Sequence, residues 1–355
     1  MTISINTKEL INILEMTPRE QNLMLVGKHG IGKSEIITNY FTQKGQRVVT
    51  LFLGQMSDPG DLIGLPSKDS VNGKTNFLPP YWFPTDSQPI VLFLDELNRV
   101  RPEVLQTIMD LTLNRRLAGR ALPHGSRVIS AINDGEEYQL TDLDPALLSR
   151  FNVYNFRPSV EEWLLWATER QIDERVLAFI QNESTYLDND DMQDFAGIEK
   201  VPDRRAWTRV SDIIQGVKTL SSFYKKMIAG IIGMNAANKF FVTLAQNKSI
   251  SGKELLSNYA KYQSQVEKME LHQLSVLNES IFRYIETDGY QLKNKVNMIK
   301  NLVAYFNGFG LSGNSEAIAH FISLFSSDNY PRTMVFVLTE IPDLYAKIQK
   351  FLSNL

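Results

Sequence analysis

Residues 27–34, GKHGIGKS, satisfy the phosphate-loop pattern G-x-x-x-x-G-K-[ST] with nothing missing. Each residue type suits that work. Gly27 and Gly32 are expected to let the backbone turn through positive φ, so that successive N–H groups point inward at a phosphate. His29, Gly30 and Ile31 lie within the same turn, and Glu35 follows it. Lys33 would set a charge between the β- and γ-phosphates, and the Ser34 hydroxyl would ligate Mg²⁺. The pattern can arise by accident, so its setting decides. The apolar run Leu23-Met24-Leu25-Val26 precedes the loop and residues 35–41 follow as a helical segment. Strand, loop and helix in that order are what the chemistry requires.

A second chemical centre lies downstream. The apolar strand 89–94 (PIVLFL) runs directly into Asp95-Glu96. Two adjacent carboxylates at the C-terminal end of a buried strand fit the Walker B role. Asp95 would complete the Mg²⁺ shell through water or the Ser34 hydroxyl, and Glu96 would polarise an attacking water. In an open α/β sheet this is the edge where ligands bind. The four histidines, His29, His124, His272 and His320, have no partner at metal-ligand spacing.

The elements that must position these residues follow from pattern. The first ~155 residues alternate strand-like and helix-like segments, which predicts a mostly parallel sheet covered on both faces. A helix is expected over 9–16 and strands over 47–53, 127–132 and 152–156, with helices over 102–113 and 145–149. Continuous apolarity in the strands implies burial on both sides. Between the second and third strands, residues 57–84 form an insertion rich in Gly, Pro and Asp. Its Asn72-Gly73 pair, flanked by Val71 and residues 75–77, signals a tight hairpin. A second hairpin is expected over 116–123. The pattern changes at Arg157-Pro158, where Ser159 with Glu162 makes a capping box, and the remainder is helical. Apolar residues at helical spacing over 263–287 belong to a core. The expected organisation is an α/β nucleotide-binding domain over 1–157, an α-helical lid over 158–219 and further helices over 220–355.

Composition bounds the function. The chain of 355 residues is long enough for two or three domains. It has no cysteine, which excludes disulfides, thiol catalysis and Cys-ligated zinc. A net charge of −3 argues against coating nucleic acid by bulk charge. No apolar run reaches the ~20 residues of a membrane span, and MTISINTKEL shows no signal-peptide pattern. A cytoplasmic enzyme or motor is expected.

The order GKHGIGKS, VLFLDELNR, VISAIND and DPALLSRF resembles an AAA+ ATPase, specifically the MoxR-like group. The likeness is densest over residues 20–160 and continues into VPDRRAW at 201–207. The resemblance implies an ATP- and Mg²⁺-dependent ring, with a hexamer as the family expectation. Asn133 matches the sensor 1 residue, whose amide orients the lytic water. The family often has Asn-Pro there, and this chain has Asn133-Asp134. Arg150 matches the arginine finger supplied by a neighbouring subunit, which is worth ~10³–10⁵ in rate. Arg205 matches the lid's sensor 2. Arg204 is the alternative register, and Trp207 fixes the spacing in favour of Arg205. The resemblance also implies a von Willebrand factor A type partner, and chaperone or remodelling work on a protein client.

Other readings stay open at this point. A nucleic-acid motor or loader on the same fold is the alternative, and the arginines at 99, 101, 115, 116 and 120 could line a path or merely be solvated. A guanine-specific switch would need N-K-x-D, and Asn294-Lys295-Val296-Asn297 fails at its fourth position. A small-molecule kinase would leave an arginine after the sensor strand unexplained.

Overall fold

Six parallel strands make the sheet that carries the phosphate loop. The computed structural model describes residues 3–71, 73–133, 144–188, 200–246, 250–312 and 315–352. Within these, the chain divides into two compact units, Met1–Ser159 and Val160–Leu355.

The first unit runs β1 (Ile3–Ile5), α1 (Thr7–Met16), β2 (Asn22–Gly27), α2 (Lys33–Gln43) and β3 (Arg47–Phe52). It continues through α3 (Gly60–Ile63), β4 (Pro66–Lys68), β5 (Thr75–Phe77), β6 (Ile90–Asp95) and α4 (Pro102–Asn114). The short strands β7 (Arg116–Leu117) and β8 (Arg120–Ala121) lead to β9 (Arg127–Asn133), α5 (Pro145–Leu148) and β10 (Phe151–Phe156). The sheet order is β1-β10-β2-β9-β6-β3.

The apolar strands are buried on both faces. In β6, Val91 and Phe93 join a cluster with Leu10, Ile37 and Phe41. Leu92 and Leu94 join the opposite cluster with Ile108 and Leu111. A run in which every residue is apolar is therefore the pattern such a strand needs, with each buried side chain worth about 1.5–3 kcal/mol. Helix α1 starts where Asn6 and Glu9 form a reciprocal capping box.

The insertion holds a hairpin, but not the tight one expected. Strand β4 lies upstream of Val71 and pairs Pro66 with Phe77 and Lys68 with Thr75. Six residues connect the strands, and Asn72 lies outside the described residues. Asp69 closes this connection, its N–H donating to Lys74 O and its carboxylate accepting from the Val71 N–H. Gly64, at φ +86, is required nearby because a Cβ there would lie 1.8 Å from Leu78 O. Arg120 joins the two hairpins by donating to Ile63 O (2.6 Å) and to Phe77 O.

The second unit is helical. Its helices are α6 (Val160–Glu169), α7 (Glu174–Asn182), α8 (Arg204–Ile214), α9 (Ser222–Ile232), α10 (Met234–Gln246) and α11 (Gly252–Ser257). Then come α12 (Tyr259–Val266), α13 (Leu271–Thr287), α14 (Val296–Ser312), α15 (Ser315–Phe325), α16 (Pro331–Glu340) and α17 (Pro342–Leu352). Two apolar clusters organise them. One gathers Trp163, Phe179 and Trp207 with Ile228, Ile232 and Phe240, so α9 and α10 share a core with the helices before residue 219. The other centres on α13, where Leu274, Leu277, Ile281 and Ile285 are buried as their spacing predicts.

Candidate nucleotide-binding site

The C-terminal ends of β2, β9 and β6 bring the chemistry together. The register pairs Gly27 with Asn133 and, one strand further, Leu94 with Ser130. Gly27, Asn133 and Asp95 are thus the terminal residues of neighbouring strands.

The loop after β2 is built for a phosphate. Gly30 and Gly32 carry the positive φ angles, 75 and 95. Gly27, expected to share that role, is instead a strand end, and its requirement is steric. A Cβ there would lie 2.8 Å from both Ile31 Cδ1 and Phe156 O. Gly32 is the N-cap of α2, with no side chain to cap it, so the positive dipole end of that helix faces the loop. His29 and Glu35 are exposed, and Ile31 is buried.

Lys33 is 5% exposed. Its Nζ donates to Gly27 O at 2.7 Å, Lys28 O at 2.7 Å and Asn133 Oδ1 at 2.9 Å. A lysine ammonium is thereby held at the centre of a backbone cradle closed by the Asn133 amide, a fit to a phosphate that would exchange those acceptors for its own oxygens. Ser34 Oγ donates to Asp95 Oδ2 at 2.7 Å. A hydroxyl and a carboxylate in contact are a hard oxygen donor pair suited to Mg²⁺, which takes one or two protein ligands and completes its octahedron with water and phosphate oxygens. Among the described residues no cluster of three or more His, Cys, Asp or Glu could hold a metal by itself.

Glu96 follows Asp95 in a left-handed conformation, φ 58 and ψ 40. A non-glycine residue held there by its surroundings is typical of a functional turn. Its backbone N–H donates to Asp95 Oδ1 at 2.9 Å. Arg99 Nη1 donates to Glu96 Oε1 at 3.0 Å. The other carboxylate oxygen lies against Gly54, where an added Cβ would sit 2.8 Å from it.

Arg150 lies at the other edge of the sheet. Asp144 caps α5 through the Ala146 N–H, and Leu147 is fully buried, so the short helix is fixed where it delivers Arg150 to the start of β10. The register pairs Phe151 with Asn22, and Asn22 Nδ2 donates to Arg150 O at 3.0 Å. The guanidinium donates to Met109 O. From Asn22 to Gly27 the strand rises about 16 Å at ~3.3 Å per residue. Arg150 and Lys33 therefore belong to opposite ends of the same sheet.

Of the arginines that follow β6 in sequence, Arg99 is paired with Glu96. Arg115 donates to Arg19 O, Glu20 O, Asn22 Oδ1 and Ser126 O, and Arg120 pins the two hairpins. Arg101 is exposed. Sequence reasoning passed over Asn98. It is 2% exposed and lies in the single 3₁₀ turn Leu97–Arg99. Its Nδ2 donates to Asn133 O at 3.0 Å, and its Oδ1 accepts from the Asn133 N–H at 3.4 Å. An asparagine two residues after a carboxylate pair looks like an ordinary turn residue, so only the fold reveals it.

Residues 22–151 match the family described as AAA domain (dynein-related subfamily). Together with the parallel sheet and the loop at the end of β2, that match decides the architecture. The first unit has the fold of an AAA+ P-loop domain. Over 163 residues the chain is 28% identical to BssE of Thauera aromatica, a protein named provisionally as a chaperone. The match covers 42% of this chain and 56% of BssE, so the chain spans little more than half the length of that relative. Among solved structures, the chain is similar to the Thermotoga maritima RuvB Holliday junction branch migration motor. The identity is 13% and the TM-score 0.37, with 81% of this chain and 88% of that one covered. Hsp104 in a complex with ATPγS and casein is similar at 13% identity and TM-score 0.35, with 68% and 46% covered.

In the helical unit, the two arginines at the start of α8 have opposite surroundings. Arg204 is buried and meets Asp188 with Nε at 2.9 Å and Nη2 at 2.6 Å. Arg205 is exposed on the adjacent position, and Trp207 is buried with its Nε1 donating to Tyr186 O at 2.7 Å. Arg204→Ala strands Asp188, so denaturant unfolding is expected to show a loss of about 3 kcal/mol. Arg205→Ala should change stability by less than about 0.5 kcal/mol and lower ATP turnover. The reverse pattern would make Arg204 the sensor 2 residue.

Proposed function

We propose that this chain is a Mg²⁺-dependent ATPase of the MoxR-like AAA+ group that assembles head to tail into a ring and remodels a protein client. The placement of Arg150 at the sheet edge opposite the phosphate loop carries this reading. An arginine that a nucleotide site needs, yet cannot draw from its own chain, comes from the next subunit. A contact between two different faces repeats until the ring closes, with six subunits as the family expectation.

ATP with Mg²⁺ at Ser34 and Asp95 would supply the electrophilic γ-phosphorus and neutralise its oxygens. Lys33 holds the phosphates, and the α2 N-terminus lowers the cost of their charge. Glu96 accepts the proton of the attacking water, and the Asn133 amide orients that water. Arg150 of the adjacent subunit stabilises the charge that grows in the transition state.

We assign the lid to residues 160–246, since α9 and α10 share the core of α6–α8. Movement of this lid after hydrolysis would drive the hairpins at 57–84 and 116–123 against the client. The chaperone naming of BssE and the MoxR resemblance support a protein client, with a von Willebrand factor A type protein as partner. Of the five arginines open to a nucleic-acid path, Arg99, Arg115 and Arg120 are engaged within the chain and Arg101 and Arg116 are exposed. The preference for a protein client over a nucleic-acid motor therefore rests on the chaperone naming of BssE and the resemblance. Sedimentation of Glu96→Gln with ATP and Mg²⁺ tests the assembly. A hexamer-sized species is expected, and a monomer under saturating nucleotide would overturn the ring.

A further inference from the structure

Asn98 contributes to none of the roles assigned above, yet it is among the most deeply buried polar side chains of the first unit. Its amide pairs with both backbone groups of one residue, Asn133, at the end of the adjacent strand. The Asn133 side chain in turn accepts from Lys33 Nζ. The turn that carries Asn98 also carries Arg99, the partner of Glu96. One short 3₁₀ turn therefore meets the backbone of Asn133 at the end of β9 through Asn98 and the carboxylate of Glu96, just beyond β6, through Arg99.

We propose that Asn98 is a positioning residue that sets the orientation of the Asn133 amide and couples it to the Glu96 turn. This rests on the reading of Asn133 as the residue that orients the lytic water. The physical argument is geometric. The Oδ1 of Asn133 needs its backbone fixed to a few tenths of an ångström if it is to meet both Lys33 and a water. Pairing with β2 holds one side of β9 as far as Asn133, but on the other side the pairing with β6 stops at Ser130. Beyond that point the carbonyl and N–H that face β6 have Asn98 as their partner. A side chain with one donor and one acceptor on a planar amide can satisfy both. An oxygen-only or apolar side chain of similar size cannot. When Glu96 leaves Arg99 to engage water, the turn moves, and Asn98 carries that movement to Asn133.

The test is a double-mutant cycle on the intact chain with Asn98→Leu and Asn133→Ala, reading kcat and KM for ATP alongside the melting temperature. Asn98→Leu is expected to lower kcat at least tenfold and to weaken ATP by only about threefold, in KM and in affinity alike. The double variant is expected to match Asn133→Ala alone. If the two losses multiply, or if Asn98→Leu keeps the parental kcat, the proposal is overturned. Should Asn98→Leu melt below the assay temperature, Asn98→Asp replaces it, since it keeps the acceptor for the Asn133 N–H and turns an acceptor oxygen in place of the donor toward the Asn133 carbonyl. ATP affinity by calorimetry runs the same cycle without turnover through the Lys33–Asn133 contact. Non-additive affinities with no hydrolysis by the parent would defeat the ATPase reading and leave the coupling standing. Additive affinities would defeat the coupling itself.

Discussion

Glu96→Gln is expected to bind ATP with parental affinity and to hydrolyse it about 10²–10⁴ times more slowly. Glutamine keeps the size of the side chain and an oxygen that can accept from Arg99, so the left-handed turn at residue 96 has no reason to change. What it loses is basicity. The phosphate contacts proposed above fall to Lys33, Ser34 and the α2 N-terminus, whereas the Glu96 carboxylate meets Arg99 and lies against Gly54. Binding and chemistry should therefore separate cleanly, with Kd by calorimetry unchanged and single-turnover hydrolysis lost. Parental turnover would remove Glu96 from the role of base and would point to water activation by another group at the ends of β6 and β9.

Arg150→Ala should have an effect at least as large, about 10³–10⁵ in turnover, for a different reason. The side chain donates to the carbonyl of Met109 in α4. Its removal takes one hydrogen bond from a partly buried site, a cost of about 1 kcal/mol in stability. The backbone bond from Asn22 to Arg150 O is untouched, so β10 keeps its start. Nucleotide affinity should change little, because the arginine acts on charge that develops during transfer. A variant that folds, binds ATP and fails to turn it over is the expected result. A loss confined to ATP affinity would instead place Arg150 in ground-state binding.

The legible parts of this molecule were those whose chemistry is local in the chain. The phosphate-loop pattern needs consecutive residues, and Asp95-Glu96 are adjacent, so spacing alone singles them out as candidates. The buried strands were legible because a sheet covered on both faces demands unbroken apolar runs. Other features depend on partners far away in sequence. Strand β1 is only three residues, and it exists because Ile3–Ile5 pairs with residues 154–156. The hairpin of the insertion was mis-registered because a local Asn-Gly signal competed with pairing between Pro66 and Phe77. Gly27 has the glycine expected of the motif for a steric reason that depends on Phe156. Asn98 and the Arg204–Asp188 pair were invisible for the same cause, since an asparagine or arginine acquires its meaning only from what it meets.

Mixed assembly of two inactive variants tests the central claim most directly. Lys33→Ala removes the phosphate contact and Arg150→Ala removes the finger, so each homogeneous preparation should be inactive. In a mixture, an Arg150→Ala subunit retains an intact phosphate loop and can receive Arg150 from a Lys33→Ala neighbour. ATP turnover that rises with mixing ratio and peaks near equal proportions is the predicted result. Absence of recovery, with both variants shown to co-assemble, would mean that each site is complete within one chain and would contradict the account.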